Sequence, residues 1–296
     1  MAIKLGGGGG SASQINEIVY MNNNANTVTL ADGRVYLKGG VFETTVSNYP
    51  LAYSGKVPAG LQFYVGDRDG YPTGMVYDGS HFWVVGQTAD MVWQYTAAGV
   101  STGTSFSVAG QNGEPMGITW DGTGFWMYAS GSGRVYKYSP TGSNTGIQYN
   151  LTSQIPINQG KDITWDGTYF YVIALDGGVF KYSSTFSYIS TFNVSATTST
   201  QNEYLAWDGT YLWAGGTTND TAYKFNTSGV YQNESISFYT MESAVRGITF
   251  KGGNLFAVGT STDVVTEYVT AVGIESSQTT VNGTFQRQNQ NYVRVA

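Results

Sequence analysis

The chain contains no cysteine and a single histidine, His81. Without cysteine it has no disulfides, no thiolate metal ligands and no cysteine nucleophile. Charged residues make up only 11% of the 296 residues, less than half of the usual share of about 25%. The formal net charge is −6, and basic residues do not cluster. The sequence therefore lacks the grouped Lys and Arg that neutralise nucleic-acid phosphates.

Long apolar runs are missing as well. No stretch approaches the roughly 18 residues that a membrane-spanning helix requires. The first ten residues, MAIKLGGGGG, lack the apolar core of about 7–15 residues that marks a secretory signal. The sequence therefore predicts no membrane span and no signal peptide, so an extracellular role would require release by another route, such as lysis of a cell.

Aromatic residues and glycine are abundant instead. Aromatic side chains make up 15% of the chain, and there are 40 glycines. Aromatic and β-branched residues favour strands, whereas glycine, serine and asparagine favour tight turns. The composition predicts an all-β protein built from many short strands.

A segment of 13 residues recurs five times at a nearly constant spacing. The copies read GMVYDGSHFWVVG from residue 74, GITWDGTGFWMYA from 117, DITWDGTYFYVIA from 162, YLAWDGTYLWAGG from 204 and GITFKGGNLFAVG from 247. The aligned positions Asp78, Asp121, Asp166, Asp208 and Lys251 lie 43, 45, 42 and 43 residues apart. A period of about 40–45 residues is typical of β-propeller blades.

Each copy is followed by a third alternating run and a fourth strand, which makes one four-stranded antiparallel blade. We therefore predict a five-bladed β-propeller, with six blades as the alternative. The run LQFYVG at residues 61–66 precedes the first copy and is expected to complete the last blade. The Asp-Gly pair between the first two strands predicts a two-residue type I′ turn, in which both residues have positive φ.

The flanks differ from the repeat and divide the chain into three predicted parts. Residues 1–50 form a Gly-rich arm and a β-hairpin attachment module, residues 51–275 form the propeller, and residues 276–296 form a C-terminal strand segment. Features specific to this protein are expected where the copies differ, at residues 155–161 and 197–203 between blades and in the two flanks.

Residues with possible chemistry are mostly explained by the repeat. His81 falls at a turn position that varies between copies, and the repeated aspartates suit the turns. The stretch DRDG at residues 67–70 resembles part of a calcium loop but lacks further ligands, so a plain turn is favoured. No linear catalytic or nucleotide-binding motif occurs. The sequence predicts no catalytic residue, no metal site and no cofactor, and hence not an enzyme.

One aromatic row provides the candidate ligand-binding residues. Trp83, Trp126, Tyr171 and Trp213 occupy the same place on the second strand of four copies. An exposed row of rings would stack on sugars, whereas a buried row would fill the space between blades. The buried alternative is favoured, and the four residues are kept as candidates for sugar binding.

Several segments together resemble tail-fibre and other tail-appended structural proteins of tailed bacteriophages. They are MAIKLGGGGGSAS, ADGRVYLKGGVFET with the later Tyr49-Pro50, GTSFSVAGQNGEPMGITWDGTGFWM at 103–127 and the final YVRVA. The resemblance covers most of the chain and implies a virion protein of the phage tail. It also implies attachment to other tail proteins through residues 1–50, presentation of the propeller for host-surface recognition, and a homo-oligomer within the virion.

Two other functions remain open at this stage. A carbohydrate-binding, lectin-like surface protein would use a similar propeller without needing an attachment module. A propeller glycosidase or lyase would assemble its site from carboxylates that are distant in the sequence, a pattern that no linear motif reveals.

Overall fold

A computed structural model describes residues 56–270, except positions 112, 199–200 and 239–243, together with seven strands nearer the chain ends. Their regular secondary structure is almost entirely β-strand, with one 3-10 turn, Ala109–Gln111, and one short helix, α1, Ser195–Thr198. The protein is therefore all-β, as the composition predicts. Its strands divide into two compact units.

The first unit contains the strands nearest the two chain ends. They are β1 (Ala2–Lys4), β2 (Ile18–Tyr20), β3 (Thr27–Thr29), β4 (Val35–Leu37), β5 (Val41–Thr45), β26 (Thr280–Gln288) and β27 (Asn291–Arg294). Strand β26 pairs antiparallel with both β27 and β5. Strands from the N-terminal and C-terminal flanks thus share one sheet.

The second unit contains five sheets of four antiparallel strands, the blades of a five-bladed propeller. The first blade is β7 (Pro72–Tyr77), β8 (His81–Gly86), β9 (Met91–Thr96) and β10 (Ser101–Ser107). The second is β11 (Pro115–Trp120), β12 (Phe125–Ala129), β13 (Arg134–Tyr138) and β14 (Asn144–Asn150). The third is β15 (Gly160–Trp165), β16 (Phe170–Ala174), β17 (Gly178–Tyr182) and β18 (Tyr188–Asn193). The fourth blade is β19 (Asn202–Trp207), β20 (Leu212–Gly216), β21 (Thr221–Phe225) and β22 (Tyr231–Ser237). The fifth is β23 (Val245–Lys251), β24 (Asn254–Gly259), β25 (Val264–Thr270) and β6 (Lys56–Tyr64).

The blades form a closed ring around a central channel. The first strand of each blade contacts the first strand of the next, and β23 of the fifth blade contacts β7 of the first. The fifth blade takes its outer strand from the N-terminal side of the propeller, because β6 pairs antiparallel with β25. The predicted closing strand and five-blade count are therefore confirmed.

Aromatic side chains fill the space between neighbouring blades. The Trp83 ring of the first blade meets the Phe125 ring of the second edge-on, with centroids 4.8 Å apart. The same contact recurs one blade later, where Trp126 and Phe170 lie 5.3 Å apart. Such ring pairs add about 0.5–1.5 kcal/mol each to the apolar burial itself. The repeated aromatic positions thus join the blades.

The turn between the third and fourth strands packs on the outer strand of the preceding blade. Gly142 has φ +81°, and a Cβ there would collide with the buried Phe106 ring. The third blade departs from this pattern by placing Phe186 at the equivalent position with φ +56°. Its ring stacks at 5.2 Å from Tyr149 of the preceding blade and lies 4.9 Å from Trp126.

The turn between the first two strands differs from the type I′ prediction. Where the copy contains aspartate, that residue does not have positive φ, and the following glycine does, as at Gly122 with φ +88°. Aspartate instead precedes the turn, because its carboxylate takes hydrogen bonds that the backbone would otherwise make. The fifth copy lacks the aspartate, and there Gly252 and Gly253 both have positive φ, +58° and +83°, as a type I′ turn requires.

Candidate binding site at the channel mouth

The repeated aspartates act as turn anchors. Asp121 Oδ1 accepts hydrogen bonds from the backbone N–H groups of Thr123 (2.7 Å) and Gly124 (2.9 Å). Its Oδ2 accepts one from Trp126 Nε1 at 2.7 Å. Asp78, Asp166 and Asp208 repeat the arrangement, with the second-strand aromatic as donor each time. Both oxygens of each carboxylate therefore accept hydrogen bonds that stabilise the turn.

The four candidate sugar-binding aromatics are the partners of these aspartates. Trp83, Trp126, Tyr171 and Trp213 are each at most 4% exposed. Their polar atoms face the turn carboxylates, and their rings pack in the clusters that join or line the blades. No ring face is open to a sugar, so this geometry favours the buried alternative.

Two other sequence candidates also lie in turns. His81 begins β8, and its backbone N–H donates to Asp78 Oδ1 at 2.7 Å. In the 67–70 stretch, Asp69 is buried, and its carboxylate accepts backbone N–H bonds from Tyr71 and Ala89, both at 2.8 Å. Across the described residues, no three His, Cys, Asp or Glu side chains lie together as a metal site would require.

A β-bulge begins the inner strand of every blade. In all five, the pairing between the first two strands shifts register near the start of the inner strand. The extra residues, in blade order, are Thr73, Met116, Lys161, Glu203 and Arg246. Bulges re-aim side chains and are common next to functional sites. This ring surrounds the end of the channel opposite the aspartate turns.

Charge is concentrated on three successive bulges of this ring. Glu203 Oε2 lies 3.0 Å from Arg246 Nη1, with side chains 8% and 19% exposed. The Arg246 guanidinium also lies 5.1 Å from the centre of the Tyr71 ring. We call Lys161, Glu203 and Arg246, together with the adjacent Asp162, the charged mouth.

Asp162 is the most deeply buried group of the charged mouth. It occupies the place held by glycine in three other blades, and its carboxylate accepts hydrogen bonds from the N–H groups of Ile163 (2.7 Å) and Leu205 (2.8 Å). Burial raises the pKa of Asp162 well above its usual value, and the negative charge of Glu203 raises it further, while the two N–H bonds oppose the shift. A buried acid with a raised pKa near a charge pair is a common feature of functional sites.

Next to the aspartate turns, the channel contains a cavity of about 110 Å³. It is lined by three consecutive residues of each inner strand, including the hydroxyl-bearing Thr119, Thr164 and Thr249. A volume of this size holds a few water molecules or one small polar group. None of the four residues of the charged mouth lines this cavity, so the charged mouth by itself is the candidate site.

The sequence located part of this site. Lys161 and Glu203 fall within the two inter-blade stretches, 155–161 and 197–203, where specificity was expected. Asp162 and Arg246 were missed. A signal existed for Asp162, because its place holds glycine in three other copies, whereas the place of Arg246 also holds Lys161 and Glu203 and varies from copy to copy. Their relevance emerges once the ring brings the inner strands together.

No family model matches the chain, and no curated protein matches its sequence. Solved structures share its architecture. Glutaminyl cyclase from Myxococcus xanthus is 11% identical with a TM-score of 0.59, over 76% of this chain and 97% of that one. Virginiamycin B lyase from Staphylococcus aureus is 13% identical with a TM-score of 0.44, over 88% and 93%. A nidogen/laminin complex is 14% identical with a TM-score of 0.49, over 76% and 85%.

The glutaminyl cyclase corrects one prediction. The absence of catalytic motifs led to the expectation that the protein is not an enzyme, and that expectation is wrong on this finding. An enzyme, the glutaminyl cyclase, has this fold over nearly its whole length at 11% identity. Missing linear motifs therefore exclude no activity, since propeller sites are assembled from separate blades. At this identity the likeness shows the fold alone, and the phage-tail resemblance stays a prediction.

Proposed function

We propose that the protein is a structural component of a bacteriophage tail, which presents its propeller for recognition of the host surface. The observation that carries the proposal is the division of the chain into two units. The segments that resemble phage tail proteins lie largely in the terminal unit, while the propeller completes its own ring. Such a division suits a protein whose terminal unit attaches to other tail proteins and whose propeller contacts the host.

The composition of the outer strands supports a role at an exposed surface. Strand β14 is exposed along nearly its whole length and reads NTGIQYN, without a charged residue. The pairing of each outer strand with the third strand contains an irregularity. Irregular edges prevent neighbouring propellers from joining edge to edge, as crowded copies in a particle would require.

Mass spectrometry of purified phage particles tests the proposal. Particles of a phage that encodes this chain are expected to contain peptides from both units, in a copy number that fits the symmetry of a tail. Host proteins in the same preparation provide the background level. Absence of the chain from particles in which other minor tail proteins are detected would overturn the proposal.

An adsorption experiment tests the recognition role separately. Purified full-length chain, added to host cells before the phage, is expected to slow adsorption in a dose-dependent manner. A phage that uses a different receptor on the same cells is the control. If the chain is present in particles but never competes, the structural role stands and the recognition role fails.

A further inference from the structure

The cavity in the channel is lined by uncharged residues, yet the atoms that face it are mainly polar. Each blade contributes three consecutive residues of its inner strand to the lining, and aliphatic and aromatic side chains predominate among them. The backbone must therefore supply much of the polar surface. Which backbone groups point into the cavity follows from the pairing of the inner strands.

The free edge of each inner strand faces the channel. In an antiparallel pair, residues that bond the partner strand alternate with residues whose N–H and C=O groups point away from it. In the second blade, the Asp121 N–H donates to the Gly124 carbonyl across the turn at 3.1 Å. In the register of β11 with β12, Thr119 is then the next residue that bonds β12. The N–H and C=O groups of Ile118 and Trp120 therefore point into the channel.

Hydrogen bonds between blades show the same direction. The N–H of Tyr77, which is equivalent to Trp120, donates to Thr249 Oγ1 at 3.1 Å. The N–H groups of Ile163 and Leu205 donate to the Asp162 carboxylate. Three inward N–H groups thus have side-chain acceptors, whereas no side chain of the described residues donates to an inward carbonyl at positions 75, 118, 163, 205 or 248. Acceptors are therefore in excess around the cavity.

Two threonine hydroxyls add further acceptors. Thr119 and Thr164 hold the same place in their blades as Thr249, and they are 5% and 6% exposed although they lie inside the ring. Neither hydroxyl makes a hydrogen bond within the part of the chain that the structure describes, and neither belongs to the unpartnered oxygens that are fully buried. Both hydroxyls are therefore accessible from the cavity that they line.

Glycines bring the inner strands together on one side of the cavity. A Cβ added to Gly74 would lie 3.0 Å from the Gly117 Cα, and one added to Gly247 would lie 2.9 Å from the Gly74 Cα. Each of these glycines directly precedes the lining residues of its strand. The inner strands are therefore nearly in contact there, which narrows the channel on the side of the charged mouth. We expect a ligand to reach the cavity from the end next to the aspartate turns.

Neutral oxygen atoms around a small cavity suit a monovalent metal cation. Carbonyl oxygens replace the hydration shell of such an ion in the selectivity filters of K⁺ channels. A divalent cation such as Ca²⁺ takes carboxylate ligands, and no carboxylate lines this cavity. A volume of about 110 Å³ holds one alkali-metal ion with a few water molecules. An anion would need inward donors, three of which already have side-chain acceptors.

We propose that the channel cavity binds an alkali-metal cation, K⁺ or Na⁺. Its ligands are inward carbonyl oxygens of the inner strands and the hydroxyls of Thr119 and Thr164. The ion contacts strands of several blades at the centre of the ring, so it stabilises the closed propeller. The site is distinct from the charged mouth, and it holds whether or not the chain is part of a phage tail.

The thermal midpoint of the full-length chain tests the site. Tryptophan fluorescence follows the propeller alone, because all seven tryptophans lie between residues 83 and 213. Midpoints in KCl and in NaCl are compared with those in N-methylglucamine chloride, a bulky organic cation, at equal ionic strength. At a cation concentration ten times the dissociation constant, the midpoint should rise by about 3–6 °C relative to the organic salt. The larger rise of the two identifies the preferred ion.

Thallium NMR measures binding directly. Thallium(I) resembles K⁺ in size and charge, and its signal in nitrate solution should shift when the folded chain is added. Addition of KNO₃ or NaNO₃ should reverse the shift, whereas N-methylglucamine nitrate should not. This competition gives the dissociation constant of each alkali-metal ion without unfolding the protein.

Matched variants connect the binding to the two hydroxyls. The double variant Thr119→Val/Thr164→Val should raise the dissociation constant at least about tenfold, and the fold accommodates valine because Val76 holds this place in the first blade. Thr119→Ser/Thr164→Ser keeps both hydroxyls and should retain binding. Thr266→Val is the control, because Thr266 is buried but does not line the cavity, and its ion affinity should equal that of the wild type.

Three results would each overturn the proposal. They are equal thermal midpoints in all three chlorides together with an unshifted thallium signal, unchanged ion affinity in the folded double valine variant, and equal loss of affinity in Thr266→Val. Circular dichroism identifies any variant that does not fold. If the double valine variant unfolds, Thr119→Val and Thr164→Val are measured singly, and each must weaken thallium binding.

Discussion

The glycine at the turn between the third and fourth strands provides a matched pair of substitutions. Gly142 and Gly122 belong to the same blade and have nearly equal φ, +81° and +88°. A Cβ at Gly142 would collide with the buried Phe106 ring of the preceding blade, whereas a Cβ at Gly122 would meet nothing within 4 Å. Gly142→Ala and Gly122→Ala therefore share the backbone cost and differ in the packing cost.

The expected magnitudes follow from these two costs. A left-handed conformation costs an L-residue about 1–2 kcal/mol, and replacing glycine recovers about 0.4–1 kcal/mol through the unfolded chain. Gly122→Ala should thus lower the free energy of unfolding by about 1 kcal/mol. Gly142→Ala should lower it by a further amount of about 1–3 kcal/mol, the usual cost of overpacking.

Equilibrium unfolding in urea, followed by tryptophan fluorescence, measures the difference. Trp83, which lies 5.8 Å from Phe106, is a nearby reporter. Equal unfolding free energies for the two variants would refute the argument that this turn joins neighbouring blades. A larger loss for Gly122→Ala would refute it as well.

Three further predictions concern buried polar groups. Trp213→Phe should lower the free energy of unfolding by about 1–3 kcal/mol, because Asp208 Oδ2 loses its 2.7 Å donor; urea unfolding measures the change, and an unaltered midpoint would contradict it. Burial raises the pKa of Asp121, but hydrogen bonds from Thr123, Lys137 and Trp126 outweigh burial and lower the pKa to about 2. The contribution of Asp121 to stability is therefore present above about pH 4 and is lost as the pH falls towards 2. Asp121→Asn should reduce this loss of stability at low pH, which urea midpoints recorded against pH measure. Burial raises the pKa of Asp162, so its contribution to stability is complete below about pH 4 and is lost as the pH rises through the folded pKa. Asp162→Asn should remove this decline from urea midpoints recorded against pH, and an unchanged pH profile would refute the assignment.

The repeat made the architecture predictable. Five copies at a nearly constant period predict five blades. The additional strand-like run before the first copy, which forms part of β6, predicts where the ring closes. The aspartate turn was misjudged because the sequence shows the Asp-Gly pair but not which of the two residues has positive φ. Hydrogen bonds from Thr123 and Gly124 to the Asp121 carboxylate decide this, and side-chain capping is not visible in a turn dipeptide.

The candidate site was less predictable because it exists only between blades. Glu203 and Arg246 are 43 residues apart in the chain, yet the ring brings their side chains to 3.0 Å. Neither residue belongs to a motif. Divergence between aligned copies is the signal available from one sequence, and it indicated stretches that include Lys161 and Glu203 without giving the pairing.

The closing strand determines how the propeller responds to force. Lys56 at the start of β6 pairs with Thr270 at the end of β25, so the chain enters and leaves the ring at one point. Tension applied to both ends in the same direction is shared by two adjacent strands and does not separate them. Tension that pulls the ends apart would instead peel β6 from β25 one hydrogen bond at a time, and the fifth blade would be the first to open.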